Sequence, residues 1–133
     1  GLGDWIETRL LNPNREADSL ADLARAADLV LVDAPCSGTG TWRRNPELRW
    51  RLTPERLHRL LAVQARLIDL GASLLRPGGR LVYAVCSVLA EEGADQIAAA
   101  AARTGLQLGA ARAFTPLADA CDGFFVAQVG KPC

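Results

Sequence analysis

The sequence predicts an α/β fold, and three observations carry that prediction. Residues 29–32 (LVLV) and 80–85 (RLVYAV) are short apolar runs of the kind that form buried strands. Between them lies the strongest amphipathic helix pattern in the chain, and after them a second helix pattern and two more strand patterns. The resulting order of strand, helix, strand, helix, strand, strand is that of helices laid on a mostly parallel sheet. Composition agrees: half of the 133 residues are hydrophobic but only 5% are aromatic, so Leu, Ala and Val must fill one domain-sized core.

Taken in order, residues 5–11 (WIETRLL) alternate loosely and read as a strand, and Asn12-Pro13-Asn14 as a turn. Gly1-Leu2-Gly3 follows no strand and so lacks the context of a dinucleotide loop. Residues 18–27 read as a short helix with Leu20, Leu23 and Ala24 on one face. The run 29–32 then reads as a strand buried on both faces. Thr53 is an N-cap followed by Pro54 at the first helical position. From there Leu57, Leu60, Leu61, Leu67, Ile68, Leu74 and Leu75 form one stripe. Gln64 interrupts it, and a buried amide needs partners, so it is expected to clamp a neighbouring loop. Arg76-Pro77-Gly78-Gly79 stops this helix. A second helix is expected over residues 91–103, with Glu91 and Glu92 near its positive end and Gly105 beyond its last turn. Strands are expected over 106–113 and 124–129.

The zero net charge hides an asymmetry. Residues 42–80 carry nine arginines against Glu47, Glu55 and Asp69, a basic sector that suits a phosphate-bearing partner as well as a solvated helix face. The four cysteines show no C-x-x-C and His58 is the sole histidine, which argues against a metal site and, in a chain with no secretory features, against a disulfide framework. Cys121 and Cys133 are expected to pack in the core or to be incidental. No apolar run approaches the roughly 20 residues of a membrane span, and the expectation is a soluble, cytoplasmic protein with no membrane partner.

The chemistry concentrates at two strand ends. Asp33-Ala34-Pro35-Cys36-Ser37-Gly38-Thr39-Gly40 follows the first strand, and Cys86-Ser87 follows the second. Open α/β sheets bind ligands outside the carboxyl ends of their strands. If the two strands are parallel neighbours, both thiols reach one rim; the plainer alternative is two small apolar-like residues at strand ends. A phosphatase-type C-x5-R loop fails on spacing, since Trp42 stands six residues after Cys36 and Arg43 comes one late.

DAPCSGTGTWRRNPELRW, RPGGRLVYAVCS and DGFFVAQVGK, in this order, resemble successive motifs of the Sun-type RNA cytosine-C5 methyltransferases, over residues 28–131. The resemblance implies the carboxyl-terminal part of a Rossmann-like methyltransferase fold: a mostly parallel sheet with a final antiparallel strand, its first strands missing. Residues 1–133 would then be a partial catalytic domain, without the glycine-rich cofactor loop and with the edge of the first strand unpaired and open to self-association.

For function, the resemblance implies S-adenosyl-L-methionine as cofactor and RNA, single-stranded or with a flipped cytosine, as partner. Cys86 matches the family's nucleophile, Cys36 the thiol that assists product release, and Asp33 a carboxylate that binds the cytosine edge and the cofactor; Pro35 accompanies it in the cofactor site. Trp42, Arg43, Arg44, Arg49 and Trp50 are candidates for RNA contact, with Arg44 and Trp50 equally able to brace the loop from behind. Ser37 and Thr39 are expected to bond backbone within the loop. The chain departs from the family in having Val85 where relatives often have Thr. DNA cytosine methyltransferases, chemically close, place the nucleophile in the Pro-Cys loop and have no need of the Cys86 block. The alternative class is a non-catalytic RNA- or protein-binding module that retains the fold.

Overall fold

The computed structural model describes residues 1–133, the side chain of residue 2 excepted. A single turn, α1 (Glu16–Ser19), precedes the first strand β1 (Ala27–Asp33). The turn α2 (Leu48–Arg51) leads into the long helix α3 (Pro54–Leu74), and β2 (Leu75–Val85) follows at once. Then come α4 (Ala94–Thr104), β3 (Gln107–Phe114), the turn α5 (Pro116–Asp119) and β4 (Phe124–Gly130). Helix α3 starts as its sequence requires: the Thr53 side chain accepts from the Arg56 N–H, and Pro54 follows it. Gly105 ends α4 in the left-handed conformation at φ +73°.

The sheet order is β1-β2-β4-β3. Strands β1 and β2 are parallel, while β4 runs antiparallel to both β2 and β3. Three strands therefore share one direction, and the last strand of the chain is inserted against it, as the expected mixed sheet has it. Parallel pairing of β1 and β2 needs a crossover, and α3 supplies it. Its register sets Val32 beside Tyr83 and Asp33 beside Ala84, so the two strands end together.

The core lies on one face of this sheet. Val32, Leu81, Tyr83, Val85, Phe125, Ala127 and Val129 meet Ile68 and Ala72 of α3 and Ile97 and Ala100 of α4. The opposite face carries no helix, and this corrects the first strand. Leu29 and Leu31 are 58% and 67% exposed, so β1 is buried on one face alone, because side chains alternate and only Val30 and Val32 point at α3. β1 and β3 are the two edges of the sheet.

Three other expectations fail before β1 and after β2. Residues 5–11 form no strand, Trp5 closing a 3-10 turn, and residues 18–27 form no continuous helix: α1 gives way to a 3-10 turn at Ala21–Leu23, and β1 has begun by Ala27. The loose alternation there has no neighbouring strand to pair with. The second helix begins later than its acidic residues suggest. Ala90–Glu92 form a 3-10 turn, Gly93 breaks the path, and Glu92 is turned inward rather than lying on a helical first turn. Cys121 and Cys133 are exposed and pack in no core. Among the described residues no helix is long and apolar enough to cross a membrane.

Candidate functional site

Where β1 and β2 end together, the chain after each turns over the rim. The Ala34 N–H donates to the Ala84 carbonyl at 3.0 Å, continuing the ladder one residue past β1. Cys36 and Cys86 then meet with their sulfurs 3.3 Å apart, both half-buried. The two thiols are separated by fifty residues of sequence and brought together by strand register.

The loops that carry them are tied to each other. The Gly40 N–H donates to the Cys86 carbonyl at 3.1 Å, the Thr39 and Ser87 hydroxyls share a bond of 2.9 Å, and the Val88 N–H donates to Thr39 Oγ1 at 3.1 Å. Ser37 is not bonded only within its loop, as expected, but reaches across to Glu92, with Ser37 Oγ 2.5 Å from Glu92 Oε2. Sequence alone assigns Ser and Thr to local turn bonds by default; the long-range partner becomes visible only once Glu92 is seen to point inward.

Gln64 is fully buried and acts as the expected clamp. Its Nε2 donates to the Pro35 carbonyl and to Glu92 Oε1, each at 3.0 Å. The Tyr83 hydroxyl donates to the Glu92 carbonyl at 2.7 Å, and Gln96 Nε2 donates to the Leu61 carbonyl at 2.6 Å. A polar layer of Gln64, Glu92, Gln96, Tyr83, Ser37, Thr39 and Ser87 therefore lies directly beneath the thiols. Satisfied buried polar networks of this kind fix one geometry.

A cleft of about 620 Å³ opens above the two cysteines, lined by Asp33, Pro35, Cys36, Thr41, Asn45, Leu48, Arg56 and Cys86 among others. Asp33 and Pro35 are exposed on its wall. Asn45, Leu48 and Arg56 are not among the candidates read from the sequence, although Asn45 and Leu48 fall within the first of its three motifs; the fold of residues 41–56 over the rim brings them in. Burial first, and then the bond to the Cys86 sulfur, push the Cys36 thiol up to about 12 from an ordinary 9.0. Burial likewise raises the Tyr83 phenol, with the Glu92 charge adding to it.

The basic sector divides. Arg43 and Arg44 both pair with Asp122, at 3.2 and 2.5 Å, which ties the segment after the Cys36 loop to the approach of β4. Such exposed pairs are screened by water and contribute little stability. Arg49 stacks on Trp50 with 4.4 Å between guanidinium and ring centroid, and Trp50 is 76% exposed, so it does not brace the loop from behind. Trp42 is partly buried, and its indole N–H is enclosed without a partner, which removes its edge from the surface.

One consequence of the thiol geometry is direct. A short bifunctional thiol reagent is expected to cross-link Cys36 to Cys86 within one chain, detected by peptide mass spectrometry. Cys36→Ser and Cys86→Ser should each abolish that product, whereas Cys121→Ser and Cys133→Ser should leave it. A product surviving Cys36→Ser would show that the two thiols are not neighbours in solution.

Comparison with known proteins follows the same outline. Residues 10–130 match the family model of the 16S rRNA methyltransferase RsmB/F. The chain is 42% identical over 102 residues to ribosomal RNA small subunit methyltransferase B of Thermus thermophilus, covering 77% of this chain and 24% of that protein. It is 39% identical over 112 residues to the protein of the same name from Klebsiella pneumoniae, covering 78% and 26%. The chain thus spans about a quarter of the length of these curated relatives. Among solved structures, that of PH0851 superposes with a TM-score of 0.75 at 32% identity, over 81% of this chain and 27% of that one. NSun6 from Pyrococcus horikoshii, solved with SFG, gives a TM-score of 0.67 at 27% identity, over 76% and 29%. With nearly its whole length matched and the paired strand ends of its fold in place, the chain belongs to the RsmB/F family of 16S rRNA methyltransferases.

Proposed function

We propose that the chain is the thiol-bearing part of an S-adenosyl-L-methionine-dependent methyltransferase that modifies C5 of cytosine in RNA. The observation that carries this is the pair of thiols 3.3 Å apart on the floor of an open cleft, with Asp33 on its wall. C5 of cytosine is a weak nucleophile. A thiolate adding at C6 pushes electron density onto C5, which can then take a methyl group; loss of the C5 proton and expulsion of the thiolate restore the ring. Splitting one difficult substitution in this way is covalent catalysis. Two thiols in contact suit two jobs. Cys86 is assigned the addition at C6, and Cys36, which burial holds in its protonated form, assists release of the product.

Asp33 would meet the cytosine edge from the cleft wall. Asp33 and Pro35 at the β1 end are the residues here that would hold the cofactor, and the open β1 edge beside them leaves room for the rest of its site. S-adenosyl-L-methionine, when bound, supplies the methyl group. Arg49 and Trp50 form the exposed cation–aromatic pair for RNA phosphate and base stacking, with Arg56 on the cleft wall. Arg43 and Arg44 contribute to the same basic surface while their Asp122 pairing holds the segment in place. The unpaired edge of β1 is the surface through which the isolated chain would self-associate by strand addition.

The test grafts this chain into the Thermus thermophilus relative in place of its matching segment. The chimera is incubated with cofactor and an RNA bearing 5-fluorocytosine, whose fluorine cannot leave as the C5 proton does. A covalent RNA–protein adduct that disappears with Cys86→Ala is the expected result. An adduct indifferent to Cys86 sinks the assignment.

A further inference from the structure

Glu92 lies in the polar layer beneath the thiols and takes no part in the chemistry proposed above. It is wholly excluded from solvent. Its Oε1 accepts from the Ser37 N–H at 2.8 Å and from Gln64 Nε2 at 3.0 Å, and its Oε2 accepts from the Ser37 hydroxyl at 2.5 Å. None of the ion pairs among the described residues includes it. A buried carboxylate with no cation is costly to keep. A neutral glutamine could make the same contacts, because its amide oxygen accepts from Ser37 N–H and Gln64 while its amide N–H donates to the Ser37 hydroxyl. Bracing alone therefore gives no reason for a charge at this place.

The neighbouring thiol does. Ser37 follows Cys36 directly, so the carboxylate that holds Ser37 sits behind the Cys36 loop, and its charge is among the causes that oppose ionisation of that thiol. Cys36 is faced by Cys86 from the end of β2, by Asp33 and Arg56 across the cleft, and by Tyr83 and Glu92 from the polar layer below. Asp33 and Arg56 are exposed and screened by water; Glu92 is not. We propose that Glu92 is a positioning residue for the thiol pair, its carboxylate hooking Ser37 to hold Cys36 beside Cys86 and setting a negative charge behind the Cys36 loop that adds to the effect of burial. This rests on the division of labour between the cysteines proposed above. Two adjacent thiols of equal acidity would compete for the role of nucleophile, and a fixed negative charge behind one of them breaks the tie.

The test needs no RNA, cofactor or turnover, so its failure is distinguishable from failure of the methyltransferase assignment. The chain as it stands, with Cys86→Ser so that one thiol of the pair titrates, is alkylated with iodoacetamide across pH, and Cys36 is followed by peptide mass spectrometry. Glu92→Gln is expected to melt within a few degrees of its parent and to shift the Cys36 reactivity midpoint to lower pH, with burial still holding it above that of an ordinary thiol. A folded Glu92→Gln with an unmoved Cys36 profile overturns the charge role and leaves a hook only. Should Glu92→Gln fail to fold, Ser37→Ala decides: it removes one hook and keeps both the Ser37 N–H bond and the charge. Its Cys36 midpoint is expected to stay high. A fall to the value of an unperturbed cysteine would show that packing, not Glu92, holds the proton.

Discussion

Alanine at Cys36 and alanine at Cys86 are expected to have opposite effects on a covalent RNA complex, although the two sulfurs lie 3.3 Å apart. In the grafted enzyme with ordinary cytosine RNA, Cys86→Ala should give no adduct and no product, because nothing adds at C6. Cys36→Ala should still form the adduct at Cys86 but fail to resolve it, so a stable protein–RNA species accumulates while methylated product falls by a factor of about 100, the usual scale for losing one acid–base group. Denaturing gel mobility reads the first quantity and methyl transfer the second. The proposed roles rest on the family resemblance, and the environment of Cys36 suits its part: burial, and then the bond to the Cys86 sulfur, push that thiol up to about 12, so near neutrality it carries its proton. Equal loss of adduct in both variants would refute the division, and so would adduct accumulation in Cys86→Ala.

The placement of these thiols was legible from sequence because it depends on few things. Two apolar strands joined by one amphipathic helix suit parallel neighbours, and parallel neighbours end on the same rim. Spacing alone leaves two packing residues at strand ends as the plainer reading, and the family resemblance decides for a two-thiol site. Gln64 was also legible, as a polar interruption in an apolar stripe that had to find partners. Glu92 was not. A pair of glutamates ahead of an alanine-rich helix carries the pattern of a favourable first turn, and no local feature says that one of them turns inward; Gly93, which breaks the path, was the one available signal. Leu29 and Leu31 misled for a different reason. A continuous apolar run reports that a strand can be buried on both faces, and in this chain only the α3 side has anything to cover it. The arginines show a third limit. Charge spacing marks Arg43 and Arg44 as a basic surface, but their common partner Asp122 lies nearly eighty residues away, beyond any local pattern.

Gly40→Ala is expected to be the most damaging substitution of a non-reacting residue. A Cβ at this position would fall on the carbonyl oxygen of Gly123, closer than any real contact, with the Gly123 Cα at 2.9 Å. Neither segment can step aside without loss. The Gly40 N–H holds the Cys86 carbonyl at 3.1 Å, and the Gly40 carbonyl accepts from the Gly123 N–H at 2.8 Å. Gly40 is thus the point where the Cys36 loop, the Cys86 loop and the entry to β4 touch through backbone alone. Relief of the clash must break at least one of these bonds, and overpacking of this kind costs about 3 kcal/mol. In a domain of this size that corresponds to a melting temperature roughly 10 °C lower. The loss should be specific as well as large, since moving the Cys36 loop also separates the sulfurs, so the Cys36–Cys86 cross-link should weaken well below the new melting temperature. Gly105→Ala is the control. Its backbone sits at φ +73° with nothing within 4 Å of the added carbon, so it should cost about 1 kcal/mol of conformational strain and leave the cross-link intact. Calorimetry together with the cross-linking yield separates the two. A Gly40→Ala protein that melts and cross-links like its parent would show that the seam between Gly40 and Gly123 is looser than the close backbone contact implies, and that the thiol pair is held by the polar layer beneath it instead.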